Sequence, residues 1–93
     1  MTYPEHDYSG TRQNWERRVA LAATKFSAVL CVRHNRQRAE FDSLADALAW
    51  RPEGARGRTP LIYAIAPARL PGATQRSVHL DADLIAYLQG RAA

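Results

Sequence analysis

The 93-residue sequence predicts an α+β fold: an N-terminal helix followed by ββαββα, with a four-stranded, mainly antiparallel sheet and the helices packed on one face. Three observations lead there. The stretch KFSAVLCVR alternates with a period of two and is rich in β-branched residues, as a strand requires. FDSLADALAW then changes to a helical period behind a capping pair. PLIYAI, SVHL and DADLIAYL repeat that order of long strand, shorter strand, aspartate and short helix at an interval of about 37 to 39 residues.

Residues 1–10 are polar and aromatic, with Pro4 and Gly10, and read as a flexible arm ahead of a single domain over 11–93. Ser9 or Thr11 offers a cap for the first helix, RQNWERRVALAAT (12–24), whose Trp15, Val19, Ala22 and Ala23 share one face. That stripe is narrow and alanine-rich, so it permits close approach while burying little area.

In KFSAVLCVR, Phe26, Ala28, Leu30 and Val32 oppose Ser27, Val29, Cys31 and Arg33. The run QRAEF puts Gln37, Ala39 and Phe41 on one side and Arg38 and Glu40 on the other, with a hairpin closing around His34, Asn35 and Arg36. Asp42 or Ser43 caps the next helix, Phe41 staples its entry, and Leu44, Ala45 and Leu48 form its inward stripe. Trp50 falls at the helix flank, Pro52 stops the helix, and RPEGARGR reads as a flexible loop.

TPLIYAIAP is apolar on both faces, which fits an interior strand covered on more than one side, or one whose second face lies in a dimer. ARLPGAT is a turn or short excursion, and RSVHL resumes alternation with Val78 and Leu80 inward. Asp81 caps ADLIAYLQ, where Leu84, Ile85 and Leu88 form the stripe and Gly90 is placed to end the helix.

Composition excludes several function classes. One cysteine cannot build an intramolecular disulfide framework or a cysteine zinc site, which fits a reducing, cytoplasmic location. The N-terminus lacks a signal-peptide pattern, and LIYAIAPARL, the longest nearly apolar run, contains Pro67 and Arg69, so no membrane association is expected. The net charge of +4 is modest, and almost all the positive charge is arginine.

Catalysis finds no coherent set of groups, and no cofactor is expected. Cys31 lies mid-strand, where an unpaired cysteine usually serves as a small buried apolar group, and His34 stands three residues on, facing the other way in a regular strand. His79, Asp81 and Asp83 gather near a helix start, where capping explains the aspartates better than metal binding does. PEGARGRTP lacks a GxxxxGK phosphate loop.

What remains is a small non-enzymatic binding or accessory protein, acting through protein–protein contacts and self-associating. Trp15, Val19, Trp50, Ile62 and Ala64 are the candidate interface. A chain this short buries only about 60 to 65% of its unfolded surface, so a second copy is a natural cover for the rest. The alternative is a nucleic-acid-binding protein whose arginine-rich hairpin and loop supply phosphate contacts from Arg33, Arg36, Arg38, Arg51, Arg56 and Arg58. The plainer reading of those charges is that they collect where a hairpin meets solvent, with Arg33 and Arg38 pairing with Glu40, Asp42 or Glu53.

Overall fold

Alternation in the first apolar run becomes strand β1 (Lys25–Val32), which turns back into β2 (Asn35–Phe41) with Val32 opposite Asn35 and Phe26 opposite Phe41. A computed structural model describes residues 12–92, so the arm expected over 1–10 and the Ser9 or Thr11 cap lie outside the described residues. The turn consists of Arg33 and His34 alone, with φ of 52° and 70°. Asn35 and Arg36, expected in the turn, instead belong to β2. Two left-handed central residues follow the twist of the flanking strands, which lets a two-residue turn close the hairpin early.

β3 (Leu61–Ile65) pairs antiparallel with β1, and β4 (Ser77–His79) pairs antiparallel with β3, giving the sheet order β2-β1-β3-β4. The first strand of each ββα unit, β1 and β3, is central and the second, β2 and β4, is an edge, so the ββα repeat seen in the sequence is also a repeat in space. Ala66 N–H donates to Arg76 O at 2.8 Å, and Leu80 N–H to Ile62 O at 2.8 Å, extending the β3–β4 pairing beyond the short strand. β3 is therefore an interior strand, covered by helices on one face.

Helix α1 (Arg12–Ala22) packs over β3 and β4 and beside α3 (Ala82–Ala92), while α2 (Leu44–Ala49) packs over β1 and β2. Ser43 caps α2, its Oγ accepting from Asp46 N–H at 3.2 Å. Asp81 caps α3 as expected, its Oδ1 accepting from Leu84 N–H at 2.9 Å. α3 runs through Gly90 to Ala92, because Gly90 keeps an ordinary helical hand rather than the left-handed one that ends helices. α1 ends at Ala22, two residues early.

The helix-facing side of the sheet carries Phe26, Ala28, Ile62, Ala64 and Val78, all buried. Small residues mark the contact: Ala20 and Ala47 on the helices meet a sheet whose Ala28 and Ala64 are fully buried. Ala47, rather than Ala45, makes the closest approach of α2; Ala45 is exposed. Larger side chains such as Val19, Phe26, Ile62 and Leu84 then fill the remaining space, each contributing about 1.5 to 3 kcal/mol on burial.

Helix α2 is too short to cover the far end of β1, and the segment expected to be a flexible loop covers it instead. Ala55 is buried against Leu30 and Val32, with Trp50 linking this small cluster to the main core. Gly54 makes the fit possible: its φ is +88°, and a Cβ there would stand 2.7 Å from Val32 Cγ1. Trp50 also packs tilted against Phe41 at 6.5 Å between ring centres.

Candidate functional site

Among the described residues every helix lies on one side of the sheet, and none of them covers the other face. Alternation delivers Lys25, Ser27, Val29 and Cys31 of β1 to this face, with Arg36, Arg38 and Glu40 of β2, Leu61, Tyr63 and Ile65 of β3, and Ser77 and His79 of β4. Its centre is apolar: Val29 is buried by its neighbours, Tyr63 and Ile65 are half-buried, and Leu61 is 51% exposed. Tyr63 and His79 sit side by side, ring centres 5.4 Å apart. A depression of about 260 Å³ lies between Arg36, Arg38, Tyr63 and Ile65.

The rim is polar, and most of its charge is matched. Arg38 lies across β1, donating from Nε to Ser27 Oγ at 2.9 Å and from Nη2 to Glu40 Oε2 at 3.3 Å. That bridge helps leave Ser27 only 2% exposed on a face without helices. Lys25 Nζ donates to Asp42 Oδ1 at 2.5 Å, and this hydrogen bond, together with the carboxylate's charge, raises the Lys25 ammonium above its ordinary 10.5. Arg36 alone among the cations of this face has no partner among the described residues.

The structure divides the six sequence-nominated arginines into two groups. Arg51 Nη1 donates to Leu48 O and Trp50 O at 2.8 and 2.7 Å, satisfying carbonyls at the end of α2. Arg58 Nη2 donates to Cys31 O at 2.6 Å and its Nε to Ala55 O at 3.3 Å, which ties the 51–60 segment to β1. Arg38 is engaged as described. Arg33, Arg36 and Arg56 carry no side-chain hydrogen bond or ion pair among the described residues, and the hairpin and loop that hold them meet at one end of the sheet.

The nominated interface residues are placed elsewhere. Val19, Ile62 and Ala64 lie in the monomer's own core, Trp50 bridges its two clusters, and Trp15 is half-buried beside Tyr63 and His79 in a cleft of about 540 Å³. Leu61, Tyr63, Ile65 and Val29 are the apolar residues that sequence reasoning did not select. The signal was present, since β3 is apolar on both faces; what the pattern lacked was which face the helices take. Cys31 departs from the expected buried position and is exposed on the open face, because strand parity places it away from the helices.

A second apolar hollow, about 330 Å³, opens between the helices beside Leu21, Leu44, Leu48 and Leu88. Its walls belong to the three helices that enclose the core. Among the described residues, no group of three His, Cys, Asp or Glu side chains is placed to hold a metal ion, and no helix is long and apolar enough to cross a membrane. Comparison of the chain with protein-family models, curated proteins and solved structures finds no match.

Proposed function

We propose that this chain is a non-catalytic binding domain that self-associates through the open face of its sheet. The observation that carries the reading is an apolar centre, Val29, Leu61, Tyr63 and Ile65, ringed by polar side chains on a face that no helix of the described residues covers. Protein interfaces have that anatomy. Charge favours protein over nucleic acid on this surface: Lys25 and Arg38 are each matched by a carboxylate, which leaves a polyanion little to bind except Arg36. A rim holding both signs also lets a two-fold copy meet itself without a like-charge penalty.

Strand spacing and rise give the face roughly 400 Å² of projected area. Specific interfaces cover about 800 Å² per partner, so contact across this face and its rim makes a weak dimer that dissociates on dilution. Cys31, the chain's single cysteine, is a built-in reporter on that face. The initial rate of thiol labelling should fall as protein concentration rises, and Leu61→Arg should remove the dependence. A labelling rate indifferent to concentration in the native chain would overturn the proposal.

A second reading has its own observation. Arg33, Arg36 and Arg56 have no side-chain partner among the described residues, and the hairpin and loop that carry them meet at one end of the sheet, where Arg58 is fastened to Cys31 O and Glu53 lines the same cleft as Arg33. Unengaged arginines are suited to phosphate contact, which supports nucleic-acid binding at this end while the sheet face serves the dimer. Steep weakening of oligonucleotide binding with salt is its expected signature.

A further inference from the structure

Two hollows of the molecule share part of their walls. The cleft of about 540 Å³ that holds Trp15 and the depression of about 260 Å³ on the open face are both lined by Tyr63 and Ser77. Strand pairing accounts for this: Tyr63 stands opposite His79 and Ile65 opposite Ser77, so adjoining side chains of β3 and β4 border both hollows.

The two differ in chemistry. In the cleft, Trp15 of α1 joins the tilted pair of Tyr63 and His79, whose ring centres are 5.4 Å apart, so aromatic side chains arrive from α1, β3 and β4. Thr74, Gln75 and Ser77 add neutral hydrogen-bonding groups, and among the described residues the cleft is lined by acidic Glu16 and by no arginine or lysine. The depression has the opposite character, with Arg36 and Arg38 in its wall. Arg38 is already held by Ser27 Oγ and Glu40 Oε2, whereas Arg36 has no partner among the described residues. One free guanidinium on a face whose other cations are matched suits a single anionic group better than a polyanion.

Small-ligand sites are concave, about 300 to 1,000 Å³ in volume, and lined by aromatic side chains with a few polar groups, and the cleft has that form. Aromatic side chains take planar bases by stacking, and a guanidinium fork matches a phosphate. We infer that cleft and depression together bind a nucleoside monophosphate, with its base among Trp15, Tyr63 and His79, its sugar over Ser77 and its phosphate on Arg36. Glu16 disfavours a phosphate inside the cleft and so sets the direction of the ligand. The site goes beyond the self-association reading and does not rest on it, although Tyr63 and Ile65 belong to both.

The test is an NMR titration of the full, isotope-labelled chain, kept dilute, with AMP, GMP, CMP and UMP, and with the matching nucleosides and inorganic phosphate as the separate halves. At least one monophosphate should shift the amides of Trp15, Tyr63, Ser77 and His79 together with that of Arg36, and should bind on the order of tenfold more tightly than its nucleoside or phosphate alone. Arg36→Gln breaks no hydrogen bond or ion pair of the described fold, and it should weaken the monophosphate on the order of tenfold while leaving the nucleoside unchanged. His79→Ala should weaken nucleoside and monophosphate alike, by about tenfold. A chain that binds none of the four monophosphates at millimolar concentration would overturn the proposal. So would inorganic phosphate binding as tightly as the best monophosphate, or an Arg36→Gln chain that binds the monophosphate as the native one does. Self-association is read separately, from the mass of the chain at high concentration, so either reading can fail without the other.

Discussion

Leu61 and Ile62 are chain neighbours on β3, close in size and polarity, yet one is 51% exposed and the other 2%. The contrast extends across the sheet. On the covered face, small residues such as Ala28 and Ala64 admit the helices, and a few larger ones fill the core. The open face carries Leu61, Tyr63 and Ile65 of β3, and Arg38 reaches from β2 across to Ser27 of β1. A strand with one wet face normally alternates apolar and polar residues. β3 does not, and the proposed self-association would account for that by covering its second face.

Substitutions on the two sides of β3 should separate these roles most sharply. Ile62→Ala removes buried methylenes from the core and should cost about 3 kcal/mol in denaturant unfolding. Leu61→Ala, one residue away, should change dilute monomer stability by less than about 0.5 kcal/mol while weakening association. A large loss of monomer stability at Leu61 would erase the distinction between the faces.

The far end of the covered face is sensitive for a different reason. Gly54→Ala adds a carbon that collides with Val32 and forces an alanine into left-handed φ. A cost of about 1 to 3 kcal/mol is expected, felt mainly as release of the 51–60 segment. Trypsin cleavage after Arg56 and Arg58 should accelerate before global unfolding does.

Two smaller effects probe the open face. Arg38→Gln leaves Ser27 without its guanidinium donor and should destabilise the chain by about 0.5 to 1.5 kcal/mol, with faster exchange of β1 amides near Ser27. Asp42→Asn removes the carboxylate that raises Lys25, so the Lys25 value followed by NMR should fall back towards 10.5. Because the folded value lies above the ordinary one, the pair's contribution is present below about 10.5 and disappears as pH rises through the folded Lys25 value. Both partners are exposed, so thermal stability should hardly respond.

Much of the fold was legible because its signals are local. Parity in β1 and β2, the Ser43 and Asp81 caps, and the ordered repeat of ββα all follow from residues a few positions apart. Turn geometry was less legible: Arg-His does not announce a two-residue turn as Asn-Gly would, so the pattern alone implies a wider hairpin than the one that forms. The RPEGARGR segment reads as a loop by composition, but its packing depends on Gly54 meeting Val32, a contact between residues distant in sequence.

The candidate surface was half legible. That β3 is apolar on both faces marks it for double coverage, but Leu61, Tyr63 and Ile65 are indistinguishable by pattern from Ile62 and Ala64. Only helix placement, governed by the small side chains of Ala28, Ala47 and Ala64, decides which set is left outside. The arginines were visible as a group, whereas the engagement of Arg38, Arg51 and Arg58, and the lack of a partner for Arg33, Arg36 and Arg56 among the described residues, depend on how the chain folds around each guanidinium.

Sedimentation equilibrium of the native chain and of Leu61→Arg, over a wide concentration range, tests the central claim most directly. The native chain should move reversibly from the 10.4 kDa protomer towards twice that mass as concentration rises, and the variant should remain a monomer with an unchanged fold. A native chain that stays monomeric at the highest concentration, or a variant that dimerises equally well, would contradict the assignment of the open face to self-association.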